Sequence, residues 1–424
     1  MTALQPRPLE PPVDLRPLQL FFLAAAVFVV AGGYGALLPL LPAWLSQQMP
    51  GSSTVEVARH VGFLSGAYTA GVLVGAPIWG WVSDRIGRPR ILIVGLIGYV
   101  ASLLLLLLPS IGGVSAIYAL RAAAGLFVAA VVPVVPALVA AHTPKALRAR
   151  RFAWLGAASL LGFLFGPGLI AVANVLAVMI AGGVAPALLA ARIVLALSAV
   201  LGASMMLGLA LTLPRHEDAS ETVAAETEAP DRAGIAALWW LNAAVMFSLS
   251  GYEIGIVLQG TQHANASTQQ VAMMFAECSL VMLGINALLF FTSLLDRVTS
   301  RLVIVTGLLV GISGMALLAF HESIEWMYVG VSITAAGTGL VFPVISFLAA
   351  GATHRKLGAT MGGLAAAAGL AQTLGSAAGG WLFGSLSQIA FAWLMLPLVG
   401  TLILVLCRPS WWTASGAVSQ RQSE

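Results

Sequence analysis

The eleven residues from Gly80 to Arg90, GWVSDRIGRPR, bring one acid and three arginines together between two long apolar segments. Charge is scarce elsewhere, because only 8% of the 424 residues are charged and 59% are hydrophobic. Soluble domains have about a quarter charged residues, so this composition predicts an integral membrane protein whose apolar surface faces lipid. The cluster therefore marks a place where charge is concentrated in a chain that otherwise avoids it.

The apolar segments on both sides of this cluster have the length of membrane-spanning helices. A hydrocarbon core about 30 Å thick requires about 20 apolar residues in a helix. We therefore predict an all-α integral membrane protein with twelve transmembrane helices, at residues 18–43, 60–83, 91–109, 113–141, 152–173, 189–213, 234–258, 271–295, 302–320, 326–350, 357–383 and 389–407. Residues 174–188, NVLAVMIAGGVAPAL, are compatible with a re-entrant or interfacial piece before the sixth span.

The positions of lysine and arginine predict the orientation in the membrane. With the N-terminus inside, about 17 of the 20 basic residues fall on the inner side, in accord with the positive-inside rule. These inner residues include Arg85, Arg88, Arg90, Lys145, Arg148, Arg150, Arg151, Arg297, Arg301, Arg355 and Lys356. Arg59 and Arg192 fall on the outer side, and Arg121 lies within a span. The pattern predicts two cytoplasmic termini, and it explains the net charge of +4 without nucleic acid as a partner.

The longest hydrophilic interruption, Pro214 to Arg232, divides the chain into two halves. We predict a tail at 1–17, a six-helix bundle at 18–213, a linker at 214–233, a second six-helix bundle at 234–407 and a tail at 408–424. Features recur between the halves at similar offsets: Asp84-Arg85 and Asp296-Arg297 at 212 residues, Pro133 and Pro343 at 210, and Gly162 with Gly166 and Gly375 with Gly379 at 213. Such repeats are typical of secondary transporters, whose substrate site lies between the two halves.

The opening stretch resembles the signature of the major facilitator superfamily, which has a glycine, an Asp-Arg pair and a Gly-Arg pair between spans two and three. The matching residues are Gly80, Asp84, Arg85, Gly87, Arg88 and Arg90. The resemblance implies two pseudo-symmetric six-helix bundles and a breakable charge latch at this loop. Members of the family often carry a second acid at the inner end of span four, whereas AAHTPKALRAR has His142 and no carboxylate there. The alternative is that these arginines only fix the topology.

Spans four and five carry two further motifs of this family. YALRAAAGLFVAA places Arg121 within span four, where an arginine must be solvated or paired and marks a functional site. The resemblance links this arginine to proton transfer, and a structural arginine bonded to carbonyls is the alternative. GFLFGPGLI in span five resembles the antiporter motif through Gly162, Gly166, Pro167 and Gly168. Glycines one turn apart let a neighbouring helix approach closely, and the proline kinks the span.

Two acids within spans, Glu253 in span seven and Glu277 in span eight, are candidate proton carriers or contacts for a cationic substrate. A carboxyl group in apolar surroundings favours its neutral form, so such a group can exchange protons. The alternatives are that either acid faces an aqueous vestibule or bonds a neighbouring helix. The sequence has no zinc-hydrolase spacing and no phosphate-binding GxxxxGK[ST] motif. We predict that the protein is not an enzyme, binds no metal or cofactor and uses a proton gradient as its driving force.

Substrate contacts are predicted on the spans that the family places around its central site. The candidates are polar or aromatic side chains, namely Tyr34, Asn242, Tyr252, Gln259, Asn286, Phe347 and Gln372. Span one reads AGGYGALLPLLPAW and carries no acid. A cationic substrate would therefore depend on Glu253 or Glu277.

Over nearly its whole length the chain resembles the drug:proton antiporters of the superfamily. The resemblance implies a monomer in the inner membrane of a bacterial-type cell, whose partners are a small-molecule substrate, protons and the lipid bilayer. It also implies export of an amphiphilic or lipophilic compound by alternating access. A dedicated exporter of an endogenous metabolite or siderophore fits the same residues. A non-transporting receptor or a passive pore is the alternative from another class.

Overall fold

The structure is a computed structural model that describes residues 15–108, 113–143, 145–183, 187–213, 232–292, 298–351 and 357–408. Within these ranges the long elements are all helices. They are α1 Pro17–Leu37, α2 Leu41–Gln48, α3 Thr54–Ile86, α4 Arg88–Leu106, α5 Gly113–Val128, α6 Val134–Ala141, α7 Lys145–Ala181, α8 Ala187–Thr212, α9 Arg232–Gln262, α10 Thr268–Thr292, α11 Ser300–Phe320, α12 Ile324–Gly351, α13 Leu357–Leu386, α14 Ala390–Leu394 and α15 Leu396–Cys407. The predicted linker and both tails lie almost entirely outside the described residues, as do Asp296, Arg297, Arg355 and Lys356.

These helices confirm an all-α membrane protein. The described residues include ten helical stretches that are long and apolar enough to cross a membrane. The longest stretch, Gly362–Cys407, contains α13 to α15 and corresponds to the last two predicted spans, while Gly113–Val128 is a shorter apolar helix in the predicted fourth span. The described helices are therefore consistent with the twelve predicted spans. Large apolar side chains such as Leu211 and Phe320 stay exposed on the outside, where lipid would cover them.

Prolines interrupt two of the spans that the sequence predicts as continuous. The first span changes from α1 to α2 through a 3-10 turn, Leu38–Leu40, that contains Pro39. The fourth span unwinds over residues 129–133, and α6 starts after Pro133. A proline has no N–H to donate and its ring crowds the preceding turn, which explains both interruptions. The related Pro343 does not interrupt its helix, and α12 continues through it.

Residues 174–181 differ from the predicted re-entrant or interfacial piece, because they form the last two turns of α7. After Asn174 the sequence is apolar and has no turn-forming residue before Gly182. Gly182 ends the helix with a φ of 68°, a left-handed conformation that glycine adopts without strain. Residues 184–186 lie outside the described residues.

The same packing scheme occurs in both halves of the chain. In the N-terminal half α1 packs on α7, α3 on α5 and α4 on α8, and in the C-terminal half α9 packs on α13, α10 on α12 and α11 on α15. The repeated glycines occupy equivalent contacts. A side chain at Gly162 in α7 would clash with the Phe28 carbonyl of α1, and one at Gly375 in α13 would clash with the Phe247 carbonyl of α9. The two six-helix bundles are therefore pseudo-symmetric in packing as well as in sequence.

The bundles meet through α3 with α13 and through α7 with α10. We call the end of the molecule that carries Asp84 to Arg90 the basic end, and the end that carries Thr54 the opposite end. A Cβ atom at Gly62 of α3 would lie only 2.6 Å from the Cα of Gly380 in α13, so the two backbones touch there. Nearer the opposite end, the Gln262 amide donates to the Thr54 carbonyl at 3.2 Å. These contacts close the opposite end between the bundles.

Candidate functional site

Arg121 lies in the interior of the N-terminal bundle on α5. The residue is 2% exposed, and its guanidinium carbon lies 4.7 Å from the centroid of the Tyr68 ring on α3. Its Nε group is buried and has no hydrogen-bond partner among the described residues. A buried guanidinium N–H without an acceptor is costly, so the described packing around Arg121 leaves part of this cost uncompensated.

A small cavity adjoins Arg121 and extends to α1, α4 and α8. Its volume of about 10 Å³ is close to the space that one water molecule needs. Polar groups on its wall come from Arg121, Tyr34, Tyr99 and Ser198, and the Ser198 hydroxyl also has no hydrogen-bond partner among the described residues. Gly33 keeps this space free, because a Cβ atom there would lie 2.6 Å from the Tyr99 hydroxyl and 3.3 Å from Oγ of Ser198. The cavity offers two unpaired buried groups to one water.

Glu253 lies on α9 and approaches the N-terminal bundle from the other side of the interface. Its side chain is partly buried. Glu253 and Tyr34 are close enough to interact electrostatically, and Tyr34 lines the Arg121 cavity. Tyr34 is thus within electrostatic range of a guanidinium of its own bundle and of a carboxyl group of the other bundle.

Glu277 lies on α10 within the C-terminal bundle. It accepts a hydrogen bond of 2.5 Å from the Ser332 hydroxyl on α12, and its Oε2 atom is buried without a described partner. The residue interacts electrostatically with Tyr252 of α9, as does Cys278 next to it in the sequence. Glu277 is therefore tied to its own bundle, whereas Glu253 also faces the other one.

Four of the predicted substrate contacts bond within the C-terminal bundle. The Asn242 amide donates to the Leu364 carbonyl at 2.9 Å, and the Gln372 amide lies 3.2 Å from Sδ of Met246, so both join α9 to α13. The fully buried Tyr252 lies 3.4 Å from the Val331 carbonyl of α12. The amide of Gln259 donates to the His321 carbonyl at 3.0 Å near the opposite end.

The other three predicted substrate contacts have different surroundings. Tyr34 reaches the interface between the bundles, where its ring lies 5.1 Å from the Tyr68 ring and 5.7 Å from the Phe163 ring. Asn286 is partly exposed on α10. Phe347 lies on α12, and its side chain is outside the described residues. Among the predicted contacts whose side chains the structure describes, Tyr34 is the one within electrostatic range of both Arg121 and Glu253.

The antiporter-type motif packs α7 against α1. A Cβ atom at Gly166 would lie 3.1 Å from the backbone of Gly35, and Gly162 is in similar contact one turn away. The carbonyl of Pro167 accepts a hydrogen bond of 3.3 Å from Gln269 on α10, so the motif also reaches the C-terminal bundle. Gly168 has open space where a side chain would stand. Two glycines of the motif are thus required for close packing, and the third is not.

The predicted latch residues form a local network at the basic end. Asp84 pairs with Arg88 at 3.6 Å, while its side chain stays 63% exposed. The Arg85 guanidinium lies 3.7 Å from the centroid of the Trp81 ring. Gly87 joins α3 to α4 with a φ of 99°, which explains the glycine at this position, and Gly80 has open space around it. Nη1 of Arg90, the last residue of the group, donates to the Ile86 carbonyl at 3.3 Å.

The sequence interpretation missed four side chains around these charges: Tyr68, Tyr99, Ser198 and Ser332. Tyr99 and Ser198 lie in apolar runs of α4 and α8, and no local motif distinguishes them from lipid-facing residues. Tyr68 offered a weak signal, because a tyrosine in a span beside glycine-rich sequence is a candidate partner for a buried arginine. Only the packing of separate helices brings the four residues to the site.

Comparisons with known proteins agree with this architecture. A family model described as Major Facilitator Superfamily matches residues 23–290. The class D tetracycline resistance protein of Salmonella ordonez is 26% identical over 388 residues, which are 89% of this chain and 93% of that relative. Multidrug resistance protein 2 of Bacillus subtilis (strain 168) is 25% identical over 328 residues, which are 76% of this chain and 77% of that relative. The class B tetracycline resistance protein of Escherichia coli is 34% identical over 137 residues, about a third of each chain.

Solved structures share the fold at low sequence identity. The human organic anion transporter MFSD10 has a TM-score of 0.66 at 19% identity, and the match covers 92% of this chain and all of that one. A POT family transporter in complex with 5-aminolevulinic acid has a TM-score of 0.75 at 13% identity, over 95% of this chain and 98% of the other. At these identities the similarity shows the common fold alone.

Proposed function

Because the chain belongs to the Major Facilitator Superfamily, we propose that this membrane transporter is a proton-coupled antiporter that exports small amphiphilic or lipophilic compounds, drugs among them. The relatives support this substrate class, since two are named for tetracycline resistance and one for multidrug resistance. The proposal places the protein in the inner membrane of a bacterial-type cell, with the basic end and both termini at the cytoplasm. Positively charged inner loops support this orientation.

The observation that carries the proposal is the placement of Arg121 and Glu253 on opposite bundles, both within electrostatic range of Tyr34. A coupled antiporter needs a group whose protonation depends on which conformation the bundles adopt. Glu253 meets this requirement, because rocking of the bundles changes its distance from a fixed positive charge. A nearby guanidinium favours the ionised carboxylate, and separation in an apolar site favours the neutral acid.

The transport cycle follows from these two states. With the opposite end closed, substrate arrives from the cytoplasm and Glu253 releases its proton there. The bundles then rock against each other, the contacts at the opposite end open, and the substrate leaves there. Glu253 takes up a proton from that side and becomes neutral, which lowers the cost of returning through an apolar environment. One direction of rocking thus carries substrate outward and the other carries a proton inward.

Arg121 keeps its charge throughout this cycle, and the chain must stabilise that charge in the membrane. The Tyr68 ring contributes a cation–π contact. A water in the adjoining cavity would accept from Nε of Arg121 and bond the Ser198 hydroxyl, which satisfies both groups that the described protein leaves unpaired. In the proposal, Tyr34 transmits changes at this site to Glu253. Glu277, held by Ser332, is a second proton carrier or a contact for a cationic substrate.

Proton release from inside-out vesicles tests the proposal. The vesicles are energised by respiration, a pH-sensitive dye reports the interior, and a panel of lipophilic drugs, siderophores and metabolites is added. Proton release triggered by several unrelated drugs, and absent from vesicles without the protein, is the expected result. Release by one endogenous compound alone would instead identify a dedicated exporter. Uptake of the drugs without any proton release would contradict antiport.

A further inference from the structure

A cleft of about 430 Å³ opens at the basic end of the N-terminal bundle. It lies between the start of α1, the end of α6 and the first turns of α7. This position is separate from the interface between the bundles and from the cavity beside Arg121. None of the predicted transport residues lines the cleft.

Two arginines give the cleft a positive wall. Arg150 and Arg151 both line it, and none of the described residues on its wall is acidic. Nη1 of Arg151 is buried and has no hydrogen-bond partner among the described residues. A buried guanidinium N–H without an acceptor costs free energy. The cleft therefore offers a charged donor to an anionic ligand that the described residues do not supply.

The rest of the wall is apolar. Leu20 and Ala24 of α1 face the cleft with Leu155 of α7. At its rim Trp154 is 66% exposed and Phe21 is 61% exposed, which is typical of aromatic side chains at the level of lipid headgroups. A free inorganic anion would leave this apolar surface uncovered. An occupant that fits the whole cleft has an anionic head and a hydrocarbon chain.

We propose that the cleft binds one anionic phospholipid from the membrane leaflet at the basic end. Its phosphate accepts hydrogen bonds from Arg150 and Arg151, and one acyl chain lies against Leu20, Ala24 and Leu155. Basic pockets between transmembrane helices on the cytoplasmic side suit such headgroups. The guanidinium fork matches phosphate oxygens, so both arginines bind more specifically than diffuse attraction to the membrane surface. The lipid would fix the first turns of α7 against α1.

Native mass spectrometry of the full-length protein with phosphatidylglycerol or phosphatidylcholine tests the proposal. We expect one phosphatidylglycerol to remain bound where phosphatidylcholine dissociates. Arg151→Gln should weaken phosphatidylglycerol binding about five-fold, the effect of about one basic contact near the membrane surface. Arg408→Gln is the matched control, because it removes one arginine at the same end, directly after α15, and it should bind as the parent does. Ala24→Phe keeps both arginines and should weaken binding by filling the space for the chain.

Four results would overturn the whole proposal, and a fifth would overturn its acyl-chain contact. The first is equal retention of the two lipids, and the second is unchanged binding by a folded Arg151→Gln protein. The third is thermal stabilisation by inorganic phosphate as large as that by phosphatidylglycerol, which would indicate a free-anion site. The fourth is binding that appears only after removal of residues 1–14, because the tail would then occupy the cleft in the complete chain. A folded Ala24→Phe protein that binds normally would likewise refute the acyl-chain contact.

Discussion

The N-terminal and C-terminal bundles share their packing but differ in the charges that they carry. Gly162 and Gly375 occupy equivalent contacts in the two halves. The described N-terminal helices hold Arg121 in their interior and carry acids only near their ends, at Glu56 and Asp84, whereas the C-terminal helices hold Glu253 and Glu277 in their interior. Packing was thus kept on both sides, while positive and negative charge were separated. Any electrostatic interaction between the buried arginine of one bundle and the buried acids of the other therefore has to cross the interface between the bundles.

The largest effect should come from removing the charge of the N-terminal bundle. Arg121→Leu should abolish gradient-driven substrate accumulation, since Glu253 would lose the positive charge that favours its ionised form. Arg121→Lys keeps the charge but not the planar fork, so it should retain partial transport. Accumulation in energised vesicles checks both variants, with Arg408→Leu as the arginine control. Full accumulation by a folded Arg121→Leu protein would show that gradient-driven transport does not need the buried positive charge of the N-terminal bundle.

The second largest effect on transport should come from disturbing the contact between Gly62 of α3 and Gly380 of α13, which joins the bundles. Gly62→Val places side-chain atoms where the α13 backbone lies, so it should prevent closure of the opposite end and strongly slow transport. Gly284→Val on α10 is the control, because its side chain would enter open space. Turnover in proteoliposomes, compared at equal protein, measures the difference. Equal turnover by the two variants would show that closure of the opposite end does not depend on the Gly62 and Gly380 contact.

Asp84→Asn should slow transport several-fold and leave the protein in the membrane. Asp84 is mostly exposed while the opposite end is closed, so we expect any latch to form in the other conformation and stability to change little. Initial rates of transport, with membrane abundance measured in parallel, check this expectation. Unchanged transport rates would indicate that the charged loop from Gly80 to Arg90 only fixes the membrane topology.

Gly162 and Gly375 occupy equivalent helix contacts, so substituting either glycine should destabilise the protein by a similar amount. Gly162→Ala and Gly375→Ala should each lower the free energy of unfolding by about 1–3 kcal/mol, because both would overpack against a carbonyl of the neighbouring helix. Gly168→Ala, in the same motif but with open space, should have almost no effect. Thermal unfolding in detergent compares the three proteins. A large loss at one glycine and none at the other would break the proposed equivalence of the bundles.

Much of the fold was predictable because hydropathy and glycine spacing are local features. The helices appear where long apolar runs occur, and the offset of 213 residues between Gly162 and Gly375 corresponds to a repeated contact. Proline effects were less predictable, since Pro133 precedes a break and the related Pro343 lies inside a helix. Whether a proline breaks a helix depends on the neighbours that satisfy the freed carbonyl.

The sequence was enough to select the charged residues of the candidate site. It was not enough to predict which polar side chains surround them. Arg121, Glu253 and Glu277 stand out because ionisable groups in a membrane span are costly. By contrast, Asn242 and Gln372 looked like substrate contacts, although their amides bond within the C-terminal bundle. Polar side chains that join helices and polar side chains that face a substrate have the same sequence appearance. Tertiary packing alone separates the two groups.

The measurement that tests the central claim most directly compares two transport modes of Glu253→Gln in proteoliposomes. One mode is accumulation of substrate driven by a proton gradient, and the other is exchange of labelled for unlabelled substrate without a gradient. Glutamine resembles the neutral acid, so we predict that exchange persists while gradient-driven accumulation is lost, with Glu277→Gln less affected. Full proton-driven accumulation by Glu253→Gln would contradict the claim that Glu253 carries the proton across the interface.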